Sequence, residues 1–176
     1  MVTDADDSTS AWSTYSNNIT VLNNAPVFQN YATSANEVLR TSTIVIGANT
    51  TDTEDSESSH AVSVEYRAPS GDWSSSVLST TWYNSASSRW ESNFTPPSSL
   101  ELGGYDLRIR VNDTDGGSSG WNTYGDVITV SNNLPSLVNF ALSADEVLRT
   151  SRIVIGSNTT DTEDTESNHA LQNDYH

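Results

Sequence analysis

Apolar and polar residues alternate with a period of two along much of the chain. The alternation is clearest in the segment 61–67 (AVSVEYR), and it returns in the segment 105–111 (YDLRIRV). A period of two places the apolar side chains on one face of a β-strand, whereas an amphipathic helix needs a period of about 3.6 residues. No segment shows the helical period, and the pattern therefore predicts an all-β chain.

Turn residues divide this pattern into short strands. Clusters of Gly, Pro, Asn and Ser, which favour turns, occur at 69–72, 84–88, 103–104 and 115–118. The predicted strands are A at 26–31 with an extension to 40, B at 42–49, C at 61–67, C′ near 73–83, E at 88–95, F at 105–112 and G at 125–131. Seven short strands of this kind are typical of an antiparallel β-sandwich with immunoglobulin-like topology.

The inward-facing positions of these strands define a predicted core. Tyr105 stands near the start of strand F, which is the position of a tyrosine corner. Trp90 and Phe94 alternate along strand E before a pair of prolines ends it. The predicted core residues are Ile44, Ile46, Val62, Val64, Tyr66, Trp90, Phe94, Tyr105, Leu107, Ile109, Val111, Ile128 and Val130.

The sequence repeats itself with a period of 109 residues. Residues 23–67 and 132–176 are identical at 29 of 45 positions, and Trp12 aligns with Trp121. We therefore predict the end of one immunoglobulin-like module at 1–24, a complete module at 25–131 and the first part of a third at 132–176. Tandem near-copies of one unit are typical of spacers and fibres.

Composition narrows the choice of partners and chemistry. The net charge of −16 disfavours nucleic acid and anionic membranes, and all seven basic residues are Arg. The chain has no Cys, so it has neither disulfides nor a Cys-ligated zinc site. No apolar run approaches the ~20 residues that a transmembrane helix needs. No signal peptide opens the chain, and Met1 aligns with a residue inside a strand, so we expect a window of a longer protein.

Several segments resemble the tandem immunoglobulin-like repeats of secreted archaeal and bacterial surface proteins. They are the Asn-Asn-Ala-Pro junction at 23–26 and the segments 64–73 (VEYRAPSGDW), 94–97 (FTPP) and 102–116 (LGGYDLRIRVNDTDG). The resemblance implies an extracellular or cell-surface module of the kind used in stalks, adhesins, surface layers and filaments. It implies no catalytic activity.

These observations favour a non-catalytic structural repeat of an extracellular stalk or filament. Such a repeat would assemble with neighbouring copies of itself through inter-domain or inter-subunit strand contacts. The alternative is an adhesin or carbohydrate-binding module within a larger secreted protein, with glycans or cell-surface components as partners. The chain lacks the nucleophile-elbow, phosphate-loop and His-Glu-x-x-His motifs, and we expect neither an enzyme nor a required cofactor.

Acidic loops are the best candidates for a binding site. The predicted B–C and F–G loops lie at the same pole of an immunoglobulin-like sandwich, and Ca²⁺ prefers six to eight oxygen ligands. We therefore predict a possible calcium site from Asp52, Glu54, Asp55, Asp113 and Asp115, beside the Asn23-Asn24 linker. The alternative is that these residues form solvated turns. His60 and His169 stand at equivalent positions near the acidic loop, where a surface or capping role is the simpler interpretation.

Two sets of residues are candidates for contact with glycans: asparagines in sequons and exposed tryptophans. Sequons make five asparagines candidates for glycosylation: Asn18, Asn49, Asn93, Asn112 and Asn158. Trp73 and Trp82 lie on the poorly patterned C′ segment, where they are candidates for an exposed sugar-stacking platform. Packing inside the fold is the alternative role for these tryptophans.

Overall fold

The structure is a computed structural model that describes residues 1–16, 19–146 and 148–163. Ten strands and one 3₁₀ turn, Glu57–Ser59, are present within these ranges. The strands are β1 Val27–Thr33, β2 Glu37–Leu39, β3 Ile44–Thr51, β4 Ala61–Arg67, β5 Trp82–Asn84, β6 Arg89–Phe94, β7 Gly103–Asn112, β8 Asn122–Ser131, β9 Ser136–Leu142 and β10 Ile155–Thr160. In the described part of the chain, no helix has the length and apolar character needed to cross a bilayer.

Strands β1 to β8 form two four-stranded sheets. One sheet has the order β1-β3-β6-β5 and the other has the order β2-β8-β7-β4. All neighbours are antiparallel except β2 and β8, which are parallel. In the immunoglobulin nomenclature these sheets are A-B-E-D and A′-G-F-C, which is the constant-type arrangement with a split first strand. The prediction of an all-β immunoglobulin-like sandwich is confirmed.

The predicted C′ strand at 73–83 is wrong. Ser74 pairs with Tyr66 of β4 through two backbone hydrogen bonds of 2.8 and 2.9 Å. The chain then crosses to the other sheet, where Leu78 forms a bridge with Phe94. Strand β5 pairs with β6 and is therefore strand D. The serine-rich segment between these contacts has no apolar alternation to hold it along β4, which leaves β4 as the edge of its sheet.

The predicted A strand also divides in two. Strand β1 pairs with β3, whereas β2 lies in the opposite sheet and pairs with β8. Val38 is the inward-facing residue of β2 and is 3% exposed. The chain therefore bridges both sheets before it reaches β3, and this crossing closes one edge of the sandwich.

The core lies between the two sheets and matches the alternating pattern. Every predicted core residue is buried except Trp90, which is half-buried and packs against the core cluster. The Trp90 indole Nε1 donates to the Glu57 carbonyl at 2.8 Å. Phe28, Val38 and Ala48 are further buried members that the sequence pattern did not identify. The Tyr105 hydroxyl donates to the Glu101 carbonyl at 2.7 Å, which confirms the tyrosine corner.

The strand pair β9–β10 follows the complete sandwich. Its register resembles that of β1–β3, since Gly156 pairs with Ala141 as Gly47 pairs with Ala32. Leu137 stands 109 residues after the buried Phe28, but it is 59% exposed because no second sheet covers β9 within the described residues. Residues 1–16 contain one isolated bridge, between Thr3 and Thr9.

Candidate functional site: the acidic pole and the linker

The loop between β3 and β4 is organised by Asp52. One carboxylate oxygen, Oδ1, accepts from the backbone N–H of Glu54 at 2.8 Å and from that of Asp55 at 3.3 Å. The Glu54 bond is the main reason that the pKa of Asp52 lies below its ordinary value. The other oxygen, Oδ2, is buried and has no partner in the described part of the chain. Asp52 therefore fixes the shape of this B–C loop.

Asp113 organises the loop between β7 and β8 in the same way. Its Oδ1 accepts from the backbone N–H groups of Asp115 at 2.9 Å and of Gly117 at 2.7 Å. Its Oδ2 accepts from the side-chain amide of Asn23 at 2.8 Å. The Asn23 bond is the largest cause of the lowered pKa of Asp113. This F–G loop is thus tied to the linker that enters the complete sandwich.

The B–C loop holds the second linker residue. Glu54 Oε1 accepts from both the backbone N–H of Asn24 at 2.9 Å and its side-chain amide at 2.8 Å. The two loops also meet each other, because the Thr114 hydroxyl donates to Asp55 at 3.1 Å. The pole therefore consists of two acidic loops that together clamp the dipeptide Asn23-Asn24.

Gly117 permits the close approach of the linker to the F–G loop. A Cβ atom added at Gly117 would lie 2.8 Å from the Asn23 amide nitrogen and 3.0 Å from the Ala25 Cα, and it would also overlap the Asp113 carboxylate. Such distances require the neighbouring atoms to move. A residue with no side chain at this position allows the Asn23–Asp113 hydrogen bond to form.

A similar clamp occurs after the complete sandwich. The backbone N–H of Asn133 donates to Glu163 Oε1 at 3.0 Å, and the Glu163 N–H donates to Asp161 Oδ1 at 2.8 Å. The Asn133 side-chain amide donates in the other direction, to the carbonyl of Arg40 at 2.9 Å. Asn133 therefore contacts both the complete sandwich and the segment that contains β9 and β10.

The five carboxylates predicted to bind calcium share this pole, but most of their bonds are internal. Asp52, Glu54, Asp55 and Asp113 accept from backbone, amide or hydroxyl donors, as described above. Over the ranges that the structure describes, no group of three acidic or histidine side chains is arranged to hold a metal ion. A calcium site from Asp52, Glu54, Asp55, Asp113 and Asp115 stays a prediction.

His60 is buried, so the surface role expected from the sequence is wrong, whereas the capping role is confirmed: the His60 backbone N–H donates to the Glu57 carbonyl at 3.4 Å and caps the 3₁₀ turn. It is 3% exposed, and its Nδ1 lies 2.8 Å from the hydroxyl of Thr50, which is 2% exposed. This bond connects β3 in one sheet with the start of β4 in the other. His60 Nε2 is buried and has no partner in the parts of the chain that are described. The equivalent His169 lies outside the described residues.

Arginines surround Trp73 on the outer face of the A′-G-F-C sheet. The Trp73 ring centroid lies 4.5 Å from the Arg67 guanidinium carbon and 4.7 Å from that of Arg108. Arg108 also lies 4.3 Å from the Trp121 ring centroid, and Arg110 lies 4.7 Å from it. The five side chains form a ladder of alternating cations and rings. Trp73 is therefore already engaged within the fold, which argues against its predicted use as a sugar platform.

Trp82 differs from Trp73. It lies on β5 at the edge of the A-B-E-D sheet and is 37% exposed. Among the described residues its side chain has no hydrogen-bond or ring partner, and the part of the indole that is not packed is open to solvent. Of the two predicted platform residues Trp82 is the more exposed, and its use as a sugar-stacking platform stays a prediction.

The candidate glycosylation sites lie on strands. Asn49 on β3, Asn93 on β6 and Asn112 at the end of β7 are half-buried, whereas Asn158 on β10 is exposed. The Asn49 amide contacts the Ser88 carbonyl at 3.5 Å. Asn18 lies outside the described residues. Glycosylation of these five asparagines stays a prediction.

The linker asparagines and Gly117 are the functional residues that sequence reasoning missed. The sequence placed the acidic loops beside Asn23-Asn24, but it did not identify the amides as the groups that the carboxylates bind. A signal was present, because the Asn-Asn dipeptide returns at 132–133 together with the acidic run. The asparagine donors and the acidic acceptors recur together at the same spacing, and this joint recurrence indicates that they bind each other.

No protein-family model matches the chain, and no curated protein sequence matches it. Among solved structures, the chain is similar to the titin domains Z1Z2 crystallised in complex with telethonin, with 18% identity and a TM-score of 0.36. The match covers 68% of this chain and 54% of that one, so the chain spans about half the length of its structural relative. The order of the strands therefore carries the fold assignment.

Proposed function

We propose that the chain is a non-catalytic structural segment of an extracellular stalk or filament, built from modules that clamped linkers join. The observation that carries this proposal is the recurrence of one hydrogen bond at the same spacing as the sequence repeat. The Asn24 N–H binds Glu54, and the Asn133 N–H binds Glu163, at 2.9 and 3.0 Å. Each pair lies 109 residues from the other.

A repeated clamp has a mechanical consequence. When each linker is held by its own module, every junction adopts the same geometry, and successive modules are related by one rotation and one translation. Head-to-tail contacts of this kind generate an open fibre when the rotation does not close into a ring. The module boundaries proposed for such a fibre are those of the sequence repeat, at 24/25 and 131/132. Neighbouring copies of the chain are the proposed partners.

Composition supports an exterior location for this proposed fibre. The chain carries 23 carboxylates and no Lys, and carboxylate-rich surfaces stay soluble because they are strongly hydrated. The proposal needs no cofactor and no catalytic group.

A carbohydrate-binding or adhesin module is the second candidate function. The observation that favours it is the 37% exposed Trp82 on an edge strand. An exposed indole offers an apolar face on which a sugar ring can stack. In this case the sandwich would present Trp82 to a glycan, and the repeats would act as spacers.

Negative-stain imaging of the native protein tests the first proposal. We expect regular fibres whose axial repeat equals one module. Dispersed particles without an axial repeat would contradict it. Binding to a glycan array that Trp82→Ala abolishes and Trp73→Ala preserves would support the second candidate instead.

A further inference from the structure

We propose that the second asparagine of each linker is a latch that fixes one module against the next. Its backbone N–H binds the glutamate of the following module, and its side-chain amide closes onto a carbonyl of the preceding module. Asn133 shows the closed arrangement, with bonds to Glu163 and to the Arg40 carbonyl. This inference rests on the modular organisation in the proposed function.

The equivalent residue Asn24 shows a second position of the same side chain. Its backbone N–H binds Glu54, as that of Asn133 binds Glu163, but its amide turns back onto the same Glu54 oxygen at 2.8 Å. Asn133 has the complete sandwich on its preceding side, whereas Asn24 follows residues 19–22, which form no strand. The amide therefore bonds to a carbonyl of the preceding sandwich at Asn133 and to its own glutamate at Asn24.

The acceptor of the closed latch is held by several bonds. The Arg40 N–H donates to the Ser131 carbonyl at 3.0 Å, and its guanidinium Nε donates to the Leu100 carbonyl at 2.8 Å. The next residue, Thr41, donates its N–H to the Pro96 carbonyl at 2.7 Å. The Arg40 carbonyl is thus fixed to the A′-G-F-C sheet and to the loop before β7. A fixed acceptor lets one hydrogen bond define an orientation.

Burial distinguishes the closed latch from the open one. Asn133 and Glu163 are half-buried, whereas their equivalents Asn24 and Glu54 are exposed. The second oxygen of Glu163 is also buried and has no partner among the residues that the structure describes. The closed junction is therefore less exposed to water than the open one, which strengthens the hydrogen bonds inside it.

In both the closed and the open position, the side-chain amide of the asparagine has one acceptor, so the two states exchange one hydrogen bond for another. Which position is populated then depends on whether the preceding module presents its carbonyl. A latch of this kind keeps a linker ordered before assembly and orients it once the neighbouring module has folded.

Double electron–electron resonance tests the latch directly. The chain has no native cysteine, so spin labels at Thr123→Cys on β8 and Ala141→Cys on β9 report the distance between the two modules alone. Both positions are exposed. We expect one narrow distance distribution in the labelled parent chain. Asn133→Ala should replace it with the broad distribution of a flexible linker.

Two further variants sharpen the result. Asn133→Asp keeps the size of the side chain and the backbone N–H but removes the side-chain amide donor, so it should also broaden the distance distribution. Asn24→Ala makes the same change at the equivalent residue outside the measured junction, so it should leave the distribution narrow. A broad distribution in the parent chain, or a narrow one in both Asn133 variants, would overturn the latch. Failure to see fibres by imaging would overturn the proposed function and leave this intramolecular measurement unaffected.

Discussion

The side chains of Asn23 and Asp113, 90 residues apart in sequence, are joined by a hydrogen bond of 2.8 Å. One belongs to the linker and the other to the F–G loop. The same carboxylate receives two backbone N–H groups of its own loop. The bond therefore connects the order of a surface loop with the position of the linker.

Low pH should remove the stabilisation of the folded chain that the Asp113 carboxylate provides. Its pKa is lowered, first by the Asn23 amide, so the carboxylate stabilises the folded chain above the ordinary carboxyl pKa of about 3.9. That contribution is lost as the pH falls through the lower folded value. Asp113→Asn should therefore reduce Tm at pH 7, and the difference from the parent should shrink below about pH 4. Asp115→Asn alters a carboxylate that accepts no hydrogen bond from any described residue, and it serves as the control in these pH-dependent melting curves.

Gly117→Ala should displace the linker. The added methyl group would overlap the Asn23–Asp113 pair, so the hydrogen bond must break or the loop must shift. We expect a lower Tm and a shifted side-chain amide signal for Asn23 in NMR spectra. Gly125→Ala is the matched control, because its Cβ would meet Asp106 at an ordinary 3.6 Å. Equal effects of the two substitutions would contradict the close approach.

Tyr105→Phe should destabilise the complete sandwich by about 1–2 kcal/mol, because it removes the hydroxyl that binds the Glu101 carbonyl in the core. Tyr105 is fully buried but Glu101 is exposed, so water can replace part of the lost bond and the effect stays near that of an ordinary hydrogen bond. Tyr124→Phe provides the comparison, since the Tyr124 hydroxyl has no hydrogen-bond partner within residues 1–16, 19–146 and 148–163. Urea denaturation of the three proteins measures the difference, and equal midpoints would exclude a stabilising tyrosine corner.

Trypsin should distinguish the complete module from the segment that follows it. Arg40 and Arg149 lie in the same local sequence, Leu-Arg-Thr-Ser. Arg40 is held by Ser131 and Leu100, whereas Arg149 is exposed in a turn. Exposed turns are preferred sites of proteolysis. We expect trypsin to cleave early after Arg149 and late after Arg40. Mass spectrometry of the fragments over time measures the order of cleavage. Early cleavage at both sites would contradict the proposed boundary at 131/132.

Calcium binding at the acidic pole has a thermodynamic signature. An ion that binds only the folded chain stabilises it by RT ln(1 + [L]/Kd), which is about 2.7 kcal/mol at a hundredfold excess over Kd. If the predicted site exists, Tm rises with millimolar Ca²⁺ and falls again with chelator. The double variant Asp113→Asn, Asp115→Asn should abolish this response. If neither calcium nor chelator changes Tm, the predicted site does not exist, and the acidic residues only form turns and bind the linker.

Much of the fold was predictable because its signal is local. The alternation in 105–111 identifies an inward face whatever the strand pairs with, and all four inward residues of that segment are buried. The C′ prediction failed because Trp73 and the serines that follow it carry no periodic signal. Their path depends on hydrogen bonds to two different sheets, such as the pair between Ser74 and Tyr66. Those bonds depend on the tertiary fold and not on the local sequence.

The candidate site was less predictable for the same reason. The acidic loops could be placed at one pole from the topology, but their partners could not. The bond between Glu54 and Asn24 spans 30 residues, and that between Asp113 and Asn23 spans 90. The burial of His60 depends on Thr50 in the other sheet. Each of these contacts requires the register of the folded strands.

The arginine ladder has a consequence for neighbouring molecules. Two arginines of the ladder form ion pairs: Arg67 pairs with Asp106, and Arg108 pairs with Glu65 at 2.7 Å. Outside the ladder, Arg89 on β6 pairs with Glu91 at 2.9 Å. These arginines are paired with carboxylates of the same chain. A chain with a net charge of −16 therefore offers little positive surface to the carboxylates of an adjacent copy. Two chains lying side by side therefore repel each other over roughly the Debye length of about 10 Å at 0.1 M salt. In the proposed fibre, lateral association should therefore depend on ionic strength, because salt screens this repulsion.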